Sequence, residues 1–594
     1  MAKKAITAAP PGSIVWEADP ARYSGPNDGL LTAGLTLGDL RQLSAPNGAS
    51  PRAKAIHKDF RDLVDISPEG GFTRTYGPAP DALDVAGQAY TALMRLPGRK
   101  HAFTVRLLVP DAFDWDAPLL VAAPSSGSRG ETGAIGDIGS WVLPRNHALV
   151  LTDKGTGVGA HVLSCDTGYG PDLAATQDPN AATKFRLDWT PTLTAFVQDN
   201  PHAVALKHAH STENVEADWP QIVLEAIRYG LHKLRAVQPD CAPIKVIAAG
   251  VSNGGGASLR AAEIDEDRLI DAVVVAEPSI AIRSKNVPRA CKTGRPLLDY
   301  ATEMNLYVPA ALLASSLDAA PYAEVSALHA QRYSQWSKSL ADRGLLEGHD
   351  TQSRAEAALA KIEQIGFDRS SFDLLHAMAM MQVWPTISYT YANAFGRLSV
   401  EDSLLGAQIC FCDADVVTLE TGTARAPTNS ERADLAVMNS GLTPGGGLNT
   451  LYANGTIAQS LDDALQLRAL VTSSSAAAKK VQQGMGEAMA HGRNSGVPTL
   501  IVHGQSDPLI APCHSSKAYV AAATASGQDM KNWRLYNIPK AQHFETLLTV
   551  PEFADTYVAL LPYFFAALDT CEAHLFENTP LADAPDAMSQ VIAR

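Results

Sequence analysis

Three residues of this chain have the types and the order for acyl transfer to a serine: Ser252, Asp507 and His543. A serine hydroxyl attacks a carbonyl only when a neutral imidazole takes its proton, and the imidazole needs a carboxylate to fix its tautomer and stabilise its cation. Ser252 stands in Gly250-Val251-Ser252-Asn253-Gly254, a G-x-S-x-G string in which glycines let a strand reverse sharply into a helix. No other such string occurs. The developing oxyanion needs two donors. The backbone N–H of Asn253 is one, and the loop "PSSGSRG" at 124–130 offers the other, with Ser126 the expected contributor.

These groups need elements that end where they stand. Residues 245–249 read as a buried strand entering the elbow, and 257–263 as the helix leaving it. Further strand signals lie in 101–110, 118–127, 147–155 and 270–279, with a helical run over about 219–237. Such alternation predicts a parallel sheet. Two late strands, in 498–512 and 533–548, put Asp507 just past the end of one and His543 in the loop after the other. Serine, acid and histidine in that chain order predict an α/β-hydrolase, with a mostly parallel central sheet flanked by helices. From 280 to 496 the pattern turns helical with Gly and Pro breaks; "SRAEAALAKIEQIG" reads as a helix opened by Ser353 and Glu356 as a capping box and closed at Gly366. The expected organisation is an extended arm (1–75), a first part of the core (76–279), a mostly helical lid insertion (280–496) and a second part of the core (497–594).

Composition sets the outer bounds. With 594 residues, 46% hydrophobic and 19% charged, the chain reads as a soluble globular protein, and no apolar run is long enough to span a membrane. A net charge of -15 argues against nucleic acid as a partner. The seven cysteines are scattered without a C-x-x-C pair, so free thiols are expected. No cofactor or metal is expected either. "GTGVGA" at 155–160 fits a dinucleotide fingerprint, but Gly, Pro and Asp follow where a phosphate-binding helix should begin. His208 and His210, two imidazoles at i, i+2, could join a metal site only if other ligands arrive from elsewhere, and structural or surface histidines are expected. The start, "MAKKAITAAPPG", has no apolar h-region, so a cytoplasmic protein is expected, or a secreted or periplasmic one whose leader has been removed.

Beyond the elbow, "AAGVSNGGGASLRAAE", "VAAPSSGSRGETGAIG", "HAHSTEN", "IVHGQSDPL" and "AQHFETLL" resemble the 3-hydroxybutyrate oligomer hydrolase family, with similarity spread over most of the chain. The resemblance implies a serine esterase that cleaves short esters of (R)-3-hydroxybutyrate derived from poly(3-hydroxybutyrate), with Ser252 as nucleophile. Rival readings are a carboxylesterase of the feruloyl esterase or tannase kind, and a hydrolase-like binding protein without chemistry. A hydroxy-acid oligomer offers methyl groups, ester carbonyls and one terminal carboxylate, so its site should be apolar with one or two cations. Arg129 and Lys154, in loops after strands, are the candidates. Aromatic and methionine residues of 372–395 are candidates for the acyl pocket.

Overall fold

The computed structural model describes residues 12–25, 28–154, 157–283, 294–415, 417, 419, 422–438, 441–581 and 583. Gly155 and Thr156 of the glycine motif, and Cys291, lie outside them. One 10-stranded sheet organises the molecule. Its strands are β1 (Ile14–Glu17), β2 (Ala21–Tyr23), β3 (Gly87–Met94), β4 (Phe103–Pro110), β5 (Leu119–Pro124), β6 (Ala148–Thr152), β7 (Lys245–Val251), β8 (Ala272–Ala276), β9 (Thr499–Gly504) and β10 (Trp533–Ile538). They lie in the order β1-β3-β4-β6-β5-β7-β8-β9-β10, with β2 also paired to β3. From β6 to β10 every pairing is parallel. β3 and β4 extend the sheet antiparallel.

The parallel strands are apolar at almost every position because both of their faces are covered. Val121, Ile247 and Val274 point to one side, where α1 (Pro51–Leu63) supplies Ile56 and Phe60. Leu120, Val246 and Val273 point to the other, against Ile222 and Ile227 of α2 (Val215–Val237) and Leu259 of α3 (Ser252–Glu263). Each such side chain removed from water contributes about 1.5–3 kcal/mol. This sheet, wrapped by helices on both faces and turning from β7 into α3 at a serine, is the α/β-hydrolase fold. Among the described residues no helix is long and apolar enough to cross a membrane.

Two departures from the sequence reading have physical causes. The first 75 residues are not simply extended: α1 starts at Pro51, capped by Ser50, whose hydroxyl accepts from Ala53 N at 3.1 Å, and its apolar face enters the core. Between β8 and β9, α4 (Leu297–Ala311), α5 (Thr351–Ile365) and α6 (Val383–Gly396) gather round a core of their own that includes Met304, Leu359 and Trp384. That region also holds a 3-stranded antiparallel sheet, with Gln408–Asp413 between Thr423–Arg425 and Leu448–Leu451. Its strands are too short to stand out by alternation. The cap of α5 is Asp350, whose side chain accepts from Ser353 N at 2.8 Å; Ser353 is the third helical residue and bonds back to Asp350 N at 3.1 Å. Gly366 closes the helix at φ +125°.

Candidate active site

The elbow is a packing requirement as well as a turn. β7 ends at Val251, and Ser252 takes φ +53°, a left-handed conformation that costs a non-glycine residue roughly 1–2 kcal/mol. A Cβ on Gly250 would lie 2.4 Å from the carbonyl carbon of Gly254, one on Gly254 2.3 Å from the Pro124 oxygen, and one on Gly256 2.0 Å from the Ser279 oxygen. Backbone therefore meets backbone on three sides of the serine. Ser279 N donates to the Ser252 carbonyl at 2.8 Å and ties down the fourth.

β9 and β10 deliver the other two groups. His543 Nε2 lies 3.0 Å from Ser252 Oγ, and His543 Nδ1 lies 2.8 Å from Asp507 Oδ2. Asp507 Oδ1 accepts the backbone N–H groups of Leu509 and Ile510, each at 2.7 Å, which fixes the carboxylate in place. Burial on its own raises the Asp507 carboxyl, but the nearby His543 charge and hydrogen bonds from His503 and His543 outweigh it and hold the group well below the usual carboxylate range. With Nδ1–H given to Asp507, Nε2 is left to accept the serine proton. The array can thus move a proton from the hydroxyl to the ring and stabilise the cation that results.

A second carboxyl approaches the same ring. Glu277, the residue after β8, places Oε1 3.6 Å from His543 Nδ1. The sequence reading passed over it, although an acidic residue directly following a run of Ala and Val is a visible signal. Among the described residues, Glu277, Asp507 and His543 are the sole set of three His, Cys, Asp or Glu side chains whose polar atoms converge. His208 and His210 belong to no such set. His208 lies 2.6 Å from Ser128 Oγ and 3.0 Å from Glu216, His210 accepts from Leu206 N at 3.1 Å, and burial pushes each down to about 4.

Ser252 and His543 face a cavity of about 260 Å³. Val251, Leu560 and Leu561 line it from the sheet side, and Leu297, Met381, Val383 and Ile387 from the insertion. Of the aromatic and methionine residues of 372–395, Met381 and Tyr391 line the cavity, while Trp384 and Tyr389 are buried in packing. Asn253 and Ser126 both line it as well. Asn253 sits in the first turn of α3, where N–H groups lack partners within the helix, and its side chain accepts from Tyr391 OH at 3.1 Å. Ser126 follows the Pro124–Ser125 backbone that Gly254 touches, and its hydroxyl donates to Gly133 O at 3.2 Å.

The two expected substrate cations are placed differently. Arg129 borders the cavity, but its guanidinium is shared between Asp59 at 3.1 Å and Asp62 at 2.7 Å, so it presents no uncompensated charge. Lys154 does not line the cavity at all. It is fully buried, 2.6 Å from Glu216 and 3.3 Å from Tyr391 OH, because a cation taken out of water must be paired. A single sequence shows that a cation follows a strand, not which carboxylate it meets.

Comparison with known proteins adds a family. The model described as 3HB-oligomer hydrolase (3HBOH) matches residues 3–593. The D-(-)-3-hydroxybutyrate oligomer hydrolase of Paracidovorax citrulli (strain AAC00-1) is 35% identical, covering 94% of this chain and 87% of that protein. The protein of the same name from Burkholderia cenocepacia (strain HI2424) is 36% identical, covering 96% and 88%. Among solved structures, feruloyl esterase B from Aspergillus oryzae superposes with a TM-score of 0.37 at 13% identity, over 79% of this chain and 76% of that one. The esterase LipA from Xanthomonas oryzae gives 0.36 at 9% identity, over 80% and 88%.

Proposed function

From the premise that this chain belongs to the 3HB-oligomer hydrolase family, we propose that it cleaves short 3-hydroxybutyrate oligomers through an acyl-enzyme on Ser252. The broader class, carboxylic ester hydrolase, is common to its relatives. What carries the proposal is the unbroken contact from Ser252 Oγ through His543 to Asp507 at the wall of a cavity. In this reading Ser252 Oγ attacks the ester carbonyl as His543 Nε2 takes its proton. The same proton then passes to the departing hydroxyl of the next unit. Water, activated by His543, releases the acid and restores Ser252. The Asn253 N–H and a donor at Ser126 hold the oxyanion.

Residues 76–279 and 497–594 form the catalytic core in this account, 1–75 brace it, and 280–496 are a cover over the strand ends. The insertion residues Leu297, Met381 and Ile387 on the cavity wall support that role. A covered pocket admits a free chain end and keeps bulk water from the acyl-enzyme, which favours dimers and trimers. The test is incubation with the (R)-3-hydroxybutyrate dimer beside a feruloyl ester. Monomer should appear from the dimer, with little turnover of the aromatic ester. Ser252→Ala should lower kcat by roughly 10⁴-fold or more. Retention of more than about a tenth of the activity would sink the nucleophile assignment.

A further inference from the structure

We propose that Glu277 is a positioning residue for His543, a second carboxyl on the Nδ1 side that can take over the ring once Asp507 is replaced by its amide. Three observations converge on it. Its Oε1 lies 3.6 Å from the Nδ1 that Asp507 holds at 2.8 Å, so two carboxyls face one N–H. Its other oxygen, Oε2, is buried and has no hydrogen-bond partner, and the residue as a whole is 2% exposed. Its backbone is held at φ +38°, a strained conformation for a side-chain-bearing residue.

That conformation is imposed from outside. Glu277 N donates to Val502 O of β9 at 2.7 Å, and two residues on, Ser279 N donates to the nucleophile's own carbonyl. Nothing in β8 requires an acid at this point, since an apolar side chain such as leucine would fill the space without burying an unpartnered oxygen. Strain and an unsatisfied polar atom kept together beside a catalytic ring are features found at functional sites.

The two carboxyls are unequal. Asp507 has two backbone N–H donors as well as the imidazole, and Glu277 has neither, so Asp507 carries the charge and Glu277 the proton. Burial raises Glu277 well above the usual range, and the charges of Asp507 and then Asp137 raise it further. Asp137, on the segment Ile135–Gly139, is itself pushed up to about 7 by burial. The groups acting on Glu277 are therefore Asp507 from the loop after β9, His543 from the loop after β10 and Asp137. Replacing Asp507 with an amide removes the first of these charges. Burial, the larger cause, remains, so Glu277 ionises only as pH is raised; its Oε1 then accepts Nδ1–H, and Nε2 keeps the lone pair that takes the Ser252 proton.

This inference rests on the roles proposed above for Ser252 and His543, and its test is a double-mutant cycle that leaves both in place. With the hydroxybutyrate dimer, Glu277→Gln alone should cost less than about threefold in kcat, and Asp507→Asn about 10²-fold. The double variant should fall at least a further tenfold below Asp507→Asn, with KM little changed in all three. Asp507→Asn should also acquire a pH limb, activity rising as Glu277 ionises, that Glu277→Gln removes; a merely space-filling residue would not produce it. Equal effects of Glu277→Gln in both backgrounds overturn the proposal. Should the double variant fail to fold, the profile of Asp507→Asn decides alone: a curve superimposable on wild type overturns it. An active Ser252→Ala, by contrast, would overturn the underlying reading.

Discussion

Glu545, two residues past the proposed base, sits on the cavity wall with its carboxyl enclosed. It accepts Leu561 N at 3.1 Å and the Tyr76 hydroxyl, yet burial pushes it up to about 8, with the charge of Asp65 adding to the rise. A carboxyl raised in the folded state gives stability that is fully present below its unfolded value, near 4.5, and lost as pH climbs through its folded one. Tm should therefore fall between pH 6 and pH 8.5, and Glu545→Gln should shrink that fall; an unchanged slope would put its source elsewhere, with Asp137 the next group to replace. At the serine and the histidine the expectation is non-additivity. Ser252→Ala/His543→Ala should be scarcely slower than either single variant, because the two act as one unit. Ser252, Asp507 and His543 were legible because each stands at the end of an apolar run, in an order one sheet accommodates. Glu277 stands at such an end too. What marks it out is the ring it faces, and that exists only in three dimensions.

At the level of elements, the contact of α3 with the Pro124–Ser125 backbone couples the proposed nucleophile to the loop expected to complete the oxyanion hole. Gly254→Ala drives a methyl group to 2.3 Å from Pro124 O and 2.9 Å from Ser125 O, so helix and loop must part. A displacement near 1 Å can cost about 10²-fold in rate. Gly254→Ala should accordingly lose tenfold or more in kcat on a small activated ester while far-UV circular dichroism is kept; wild-type turnover would mean that the loop has no part in the chemistry. The parallel strands were readable because burial on two faces leaves continuous apolar runs. β1 and β2 were not, for strands of 4 and 3 residues carry no period of their own and depend on pairing with β3. The cap of α5 was misplaced by three positions because Asp350 and Ser353 bond reciprocally, and either serves as a helix start on sequence grounds.

Across the whole molecule, the insertion and the core share the site. Leu509, Ile510 and Ala511, two to four residues past the proposed acid, are buried in the insertion's own core. Excising the insertion would therefore disturb Asp507, and a point change inside the cavity is the cleaner probe. Ile387→Trp should reduce kcat/KM for the hydroxybutyrate dimer by tenfold or more and for p-nitrophenyl acetate far less; equal losses would mean that Ile387 supports the site without shaping it. Films of crystalline poly(3-hydroxybutyrate) should not be eroded by the intact protein. The same interleaving governs how the site comes into being. Ser252 and His543 are 291 residues apart in sequence, with the entire insertion threaded between them. At ordinary ribosomal speeds of about 5–20 residues per second, Ser252 emerges roughly 15–60 s before His543. A nascent chain halted ahead of β9 should carry Ser252 and yet ignore a fluorophosphonate, and refolding from denaturant should restore helical signal before it restores labelling, because closing so long a loop is slow. On the proposed mechanism the enzyme is in effect synthesised switched off, and the Ser252 hydroxyl is expected to become reactive only when the last sixth of the chain docks.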